Sequence, residues 1–352
     1  LDAALELGVP THQSPNGQMM ESEGGAAISD VLTRDGKRHS LFRAFTWPYL
    51  DRPNLTLLTQ TQVVRVLLEG RRAVGVEVVR NGTVERFDAT GEVILSLGAI
   101  MTPTVLMRSG IGDEDELRAA DVTLLHSLPG VGRNLQDHVS FGCIWEYREP
   151  VAPRNSGSEA TLYWKSDPSI REPDLLFCQV EFPVPSPETA GRGVPEHGWT
   201  MFAGLAHPKS RGRIRLRSGD LLSQPRIELN TFGDPDDLRT AIACVQLCRE
   251  LGNARAFEPL VRREALPGPL GQAEMENYVR DAAVTYWHQT CSAKMGRDAM
   301  SVVDSHLRVY GVDGLRIADG SVMPRVATGN TMAPCAIIGE KASRYIRATH
   351  GL

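Results

Sequence analysis

The sequence predicts a mixed α/β chain in which an open, parallel-type α/β part is interrupted by a block of antiparallel sheet. Three observations predict it. Residues 92–97 (EVILSL) form an apolar run closed by Gly98 and followed by a helix, the pattern of a buried parallel strand. Residues 139–267 carry short strand-like runs separated by proline and glycine, as antiparallel sheets do. Residues 311–349 return to turn, short strand, turn and amphipathic helix.

Composition narrows the function classes. The chain has 352 residues, enough for two domains or one large core, and its 41% hydrophobic and 23% charged content is that of a globular protein. A net charge of −5 and a pI near 6.0 argue against a broad basic surface for nucleic acid. No apolar run reaches membrane-spanning length, and the start lacks a basic-then-apolar signal pattern. The six cysteines form no C-x-x-C pair; Cys244 and Cys248 lie one helical turn apart, which suits packing and predicts a reducing, cytoplasmic setting. Leu1 is followed directly by a helical pattern, so the sequence resembles the middle of a longer protein.

In chain order, residues 10–27 are rich in Gly, Ser, Asn and Met and predict a loop, and 38–47 a short helix ended by Pro48. Strands are expected at 55–59, 62–68 and 73–79, with Asn81-Gly82 making a tight hairpin turn to 83–88. After the 92–97 strand, Thr102-Pro103 is expected to start a helix that stops at Gly110. In 128–138 (LPGVGRNLQDH), Gly130 and Gly132 would let backbone crowd a ligand, and Asn134, Asp137 and His138 offer polar groups, His138 chiefly to fix the loop.

Strands follow at 141–147, 175–182, 199–205 and 212–217, with 150–158 and 183–187 read as mobile loops. Asp234 caps a helix running through Cys248. Asp319-Gly320 stands at the carboxyl end of the last strand, where open α/β sheets bind ligands. Asn330 or Thr331 would cap the final helix, whose positive end favours a group gaining negative charge.

The stretch 286–296 (YWHQTCSAKMG) holds the main catalytic candidate. His288 sits between aromatics and a small-residue turn, and histidine exchanges protons near neutral pH. The plain alternative is a half-buried histidine filling a gap beside Trp287.

Together with 98–112 (GAIMTPTVLMRSGIG), 128–138, Val303-Asp304, 315–324 (LRIADGSVMP) and 329–334 (GNTMAP), this stretch resembles, in order, the glucose-methanol-choline (GMC) family of FAD-dependent oxidoreductases. The resemblance implies an α/β fold whose FAD-binding, Rossmann-like part is incomplete, joined to an antiparallel-sheet substrate domain. It divides the chain into a cap or linker region at 1–53, FAD-domain parts at 54–138 and 271–352, and a substrate domain at 139–270. It also implies FAD as cofactor, no metal, and oxidation of a primary alcohol to an aldehyde by hydride transfer to flavin N5. His288 then takes the hydroxyl proton, and Asn330, which cannot serve as a base, orients the substrate oxygen. Asp319 and Gly320 would lie near the pyrophosphate; Asn330, Thr331 and Met332 near the isoalloxazine; and the backbone of Val63 near the adenine.

Family members begin with a strand, G-x-G-x-x-G and helix that this sequence lacks. The implied partners are therefore an alcohol, an electron acceptor that is oxygen or another molecule, and an amino-terminal FAD-binding segment. By apolar bulk alone Met19, Met20, Phe182, Trp199 and Phe202 are candidate lining residues, with core packing the favoured use of each. Two further readings are cyanohydrin cleavage on a non-redox flavin and a flavin-free fragment without activity.

Overall fold

The computed structural model describes residues 1–154 and 157–352. Its largest sheet is antiparallel and seven-stranded. Strands run in the order Gly25–Ile28, Ala160–Trp164, Leu175–Val180, Gly198–Leu205, Val139–Tyr147 and Val261–Leu266, with Ala283–Thr285 pairing the start of Val139–Tyr147. One face is covered by the helices Pro235–Gly252 and Gln272–Ala282, burying Phe141, Trp145, Phe177, Trp199, Cys244, Cys248 and Tyr278 in one core. Asp234 caps the longer helix by accepting from Asp236 N, as its sequence predicts. Trp199 stacks between Trp145 and Phe257, so it belongs to this core rather than to a ligand wall.

A second core is built mainly from residues 63–135 and 291–345. Thr61–Glu69, Arg72–Arg80 and Thr83–Asp88 form a meander, and the turn between the last two is a two-residue one with positive φ at Asn81 and Gly82. Val93–Leu95 pairs in parallel with Leu315–Ile317, although the paired residues lie 222 positions apart. Helix Gly98–Arg108 packs beside them, and the long helix Met332–His350 adds Ile338 and Ala342. All six cysteines are free.

Several expectations fail for identifiable reasons. Residues 55–59 form no strand: Leu55, Leu57 and Leu58 stay exposed and no strand edge lies beside them. The 10–27 stretch is not all loop, because Gln18–Glu21 is a helical turn and Gly25–Ile28 an edge strand. There Gly25, at φ 142, passes the His12 ring and the Pro10 carbonyl too closely to admit a Cβ. Pro48 lies inside a 3₁₀ turn, Trp47–Tyr49, that follows helix Leu41–Phe45.

Pro103 does not start its helix; it lies five residues inside Gly98–Arg108. A proline there cannot donate to the carbonyl four residues back. The orphaned Ala99 carbonyl accepts instead from Ser292 Oγ at 2.5 Å, so the exception is built into the fold.

Residues 212–217 give the strand Gly212–Arg215, but in a separate sheet with Arg133–Leu135 and Arg226–Glu228. Part of 150–158 lies outside the described residues. Residues 183–187 are not loose: Ser186 is buried and donates to the Asp281 carbonyl, and Val184 N bonds Thr200 Oγ1.

Candidate active site

The site begins where Ala283–Thr285 runs out along Val139–Tyr147. The ladder continues past its end through Tyr286 N to His138 O, and resumes with a reciprocal pair between Gln136 and Thr290. Residues 287–289 have no opposite number and bulge outward. Asp137 fills the space beneath the bulge. Its carboxylate accepts from His288 N at 2.9 Å, Gln289 Nε2 at 2.9 Å and Thr285 Oγ1. Burial raises the Asp137 carboxyl above the usual range, against the pull of these bonds.

Within the bulge Trp287 is held at φ 58, a region that bulky residues avoid at a cost of about 1–3 kcal/mol. Thr285 Oγ1 secures it by accepting from Trp287 N. Trp287 is 72% exposed, so His288 does not fill a gap beside it. His288 instead lies against the Tyr286 ring, 5.0 Å away between centroids, and edge-on to His138, also at 5.0 Å.

His138 is wholly buried, and both its nitrogens are used. Nε2 lies 2.8 Å from the Ala327 carbonyl and Nδ1 lies 2.9 Å from His288 Nδ1. Burial, with the neighbouring His288 second, lowers the His138 pKa to about 3; burial lowers that of His288 to about 4. Both rings are thus neutral at physiological pH. The expectation that His138 fixes its loop holds through Ala327, but its bond to His288 is a contact that spacing could not reveal.

Asn330 follows on the same segment as Ala327. Among the described residues its side chain makes no hydrogen bond, and it is exposed. Gly329 beside it passes within reach of Met20 Sδ and Tyr163 Oη, where a side chain would collide. Phe202 meets Tyr286 edge-on at 6.1 Å. Met20, Tyr163, Phe202 and Tyr286 therefore form an uncharged wall on the sheet face away from the helices. Burial raises the pKa of Tyr163 to about 12 and pushes that of Tyr286 well up, so both phenols stay neutral. Phe182 is exposed, and Met19 is buried under this wall with Ala27, Leu176 and Ala206.

The other sequence candidates meet at the carboxyl ends of the parallel strand pair. Asp319 Oδ2 accepts from Gly98 N at 3.0 Å and from Thr102 Oγ1 at 2.6 Å, and Oδ1 accepts from Ser321 N at 2.8 Å. That carboxylate holds the 98–102 and 319–321 turns together. Gly320 lies against Cys335 and Thr290, and Gly98, at φ 77, has open space over its Cα. Thr331 stands at the N-cap of the final helix, one of the two positions the sequence offered, but its side chain makes no capping hydrogen bond. The helix's first N–H groups, at Met332 and Ala333, are left without a side-chain acceptor. Val63 is half-buried in Thr61–Glu69, paired to Val78.

Gly130 and Gly132 do not crowd a ligand. They approach the Met300 and Ile214 carbonyls, and so lock 128–138 onto neighbouring backbone. The same locking joins the other motifs. Cys291, Ala293 and Met295 donate to Gly320, Ser321 and Val322, and Asn134 Nδ2 donates to the Cys291 and Pro324 carbonyls.

Comparison with known proteins decides the family. The GMC oxidoreductase pattern matches residues 1–140 with its amino-terminal part and 208–339 with its carboxyl-terminal part. The chain belongs to the GMC oxidoreductase family. It is similar to an oxygen-dependent choline dehydrogenase of Stenotrophomonas maltophilia, 36% identical over 99% of this chain and 66% of that protein. It is also similar to an alcohol dehydrogenase [acceptor] of Pseudomonas putida, 34% identical over 98% of this chain and 67% of that one. Among solved structures, pyridoxine 4-oxidase from Mesorbium loti superposes with a TM-score of 0.91 at 30% identity, covering all of this chain and 69% of that one. This GMC chain spans about two-thirds of the length of the curated relatives it matches.

The family is one of FAD flavoproteins, and the residues present fit that group. A flat apolar ring needs uncharged surface, and Leu97, Trp287 and Met332 are exposed apolar side chains on the segments that carry the sequence motifs. A pyrophosphate needs glycine clearance, which Gly98 supplies although its N–H is held by Asp319, and the uncapped helix start offers free N–H groups to negative charge. Among the described residues no group of His, Cys, Asp and Glu is placed to hold a metal.

Proposed function

We propose that this chain carries the catalytic site of an FAD-dependent alcohol oxidoreductase, with His288 as general base and Asn330 as the group that orients the substrate oxygen. The observation that carries the reading is the neutral His288, held against His138 and Asp137 beside a segment ending in Asn330. A base must be unprotonated to act, and a pKa near 4 leaves His288 so throughout the neutral range. The name of the Pseudomonas putida relative, an alcohol dehydrogenase, points the same way.

Bound there, FAD would supply the two-electron acceptor for the hydride of the carbinol carbon. The protein's own residues do the rest. His288 takes the hydroxyl proton; Asn330 donates from its amide to the oxygen; Tyr286, Phe202, Tyr163 and Met20 exclude water from the reacting carbon. Backbone at Gly98, Asp319, Gly320 and Val63 would hold the dinucleotide. Thr331 and Met332, with the helix start, would face the flavin ring and favour negative charge on it.

The exposed apolar residues Ile94 and Leu97, at the strand pair's open side, fit burial by an amino-terminal FAD-binding segment of the whole protein. No helix among the described residues is long and apolar enough to cross a membrane. The six free cysteines suit a cytoplasmic setting.

The test is anaerobic mixing of the full-length, FAD-loaded protein with a panel of primary alcohols. Bleaching of the flavin by at least one alcohol is expected. A loaded protein that no alcohol bleaches, and that cleaves a cyanohydrin instead, overturns the proposal.

A further inference from the structure

We propose that His138 is a positioning residue that fixes the tautomer of His288, holding the His288 proton on Nδ1 and leaving Nε2 bare for the substrate hydroxyl. The inference rests on the reading of His288 as base and adds the nitrogen that acts and the group that selects it.

The argument runs along one hydrogen-bonded chain. A carbonyl oxygen only accepts, so the 2.8 Å contact with Ala327 puts the proton of His138 on Nε2. His138 is fully buried and neutral, with its pKa lowered to about 3, so it has no second proton and its Nδ1 offers a lone pair. The nitrogen 2.9 Å away, His288 Nδ1, must then be the donor. Neutral His288 carries one proton, already placed on Nδ1; its Nε2 is unprotonated.

The remaining contacts keep that chain in place. Asp137 holds the His288 backbone N, and Tyr286 N bonds the His138 carbonyl, so the two rings cannot separate without breaking the ladder. Ala327, which sets the His138 proton, lies three residues before Asn330, so one segment sets both the tautomer and the orienting amide.

The step balances simply. The substrate O–H bond breaks, an N–H bond forms at His288 Nε2, and the Nδ1 proton stays in its bond to His138. The resulting imidazolium keeps a neutral acceptor at Nδ1, which stabilises it without adding charge. Placing the proton on Nε2 instead would present a donor to a hydroxyl that has to give its proton away.

Two measurements on the full-length FAD-loaded protein test this. In histidine-selective ¹⁵N spectra, with His288 assigned from His288→Gln, wild type should show His288 protonated at Nδ1 and bare at Nε2 at neutral pH. A coupling between the two Nδ1 atoms across their hydrogen bond is expected too. In anaerobic reduction by alcohol, His138→Leu, which has no acceptor, should slow flavin reduction on the order of 10²–10⁴-fold, as for a triad histidine in the wrong tautomer, with little change in KM. His138→Asn places an amide oxygen near the former Nδ1 and should recover most of the rate.

A His288 proton on Nε2 in wild type overturns the proposal, as does a His138→Leu enzyme that reduces its flavin at the wild-type rate. Should His138→Leu fail to fold, the wild-type spectrum decides alone. His288→Ala separates the two claims. Full activity there sinks the general-base reading itself, whereas an impaired His288→Ala beside an unaffected His138→Leu sinks only the positioning role.

Discussion

Replacing Asp137 with alanine removes the acceptor on which the 287–289 bulge is folded. Three donors, His288 N, Gln289 Nε2 and Thr285 Oγ1, lose this acceptor together, and only Gln289 Nε2 keeps another, Thr285 Oγ1 at 2.6 Å. Each donor left unpaired costs about 1–3 kcal/mol, less where water can enter, which puts the sum at about 3–5 kcal/mol. Part of that is offset, because burial holds the Asp137 carboxyl above its usual range and its ionised form is itself a cost at neutral pH. Asp137→Asn isolates this: it keeps one oxygen for His288 N but turns an NH₂ toward Gln289, for a loss of roughly 1–2 kcal/mol. Urea unfolding of the full-length protein reads both as a lower midpoint at constant m. An alanine variant within about 1 kcal/mol of wild type, or an asparagine variant as unstable as alanine, would refute the account of the bulge.

Three other outcomes follow from the same structure. The protein should lose stability as pH falls from about 6.5 toward 4. The folded pKa of His138 lies below its unfolded value, so the unfolded chain binds more protons in that window; the contribution is on the order of 3 kcal/mol, read by thermal melts across pH. Arg316→Ala should cost about 3–5 kcal/mol in urea unfolding, because the buried Glu92 carboxylate 2.5 Å away loses its guanidinium and keeps only half-exposed His350. Gly130→Ala should cost about 1–3 kcal/mol, because its methyl presses on the backbone carbonyl of Met300, which cannot rotate away; an unchanged melt would contradict this.

Much of this was legible in the sequence, and the failures share a cause. Period and turn chemistry located the meander, the Asn81-Gly82 hairpin, the parallel strand at Val93–Leu95 and the helix after Asp234. These features are decided within a few residues. What escaped was decided by distant partners. Pro103 sits mid-helix only because Ser292 serves the Ala99 carbonyl, and Gly130 exists for the Met300 backbone. Asp137 and His138 were visible as polar residues next to each other. Their division of labour, one under the bulge and one against His288, depends on a ladder joining residues 150 positions apart. The free amino terminus of the last helix was missed because Asn330 and Thr331 have good capping chemistry that the structure does not use.

The central claim is that His288 takes the substrate's hydroxyl proton. It is tested most directly by anaerobic single-turnover reduction of the FAD-loaded, full-length protein by its best alcohol, wild type against His288→Ala. The account predicts that FAD stays bound in the variant while the reduction rate falls about 10²–10⁴-fold, the usual contribution of a general base. Reduction at the wild-type rate with FAD fully retained would contradict it.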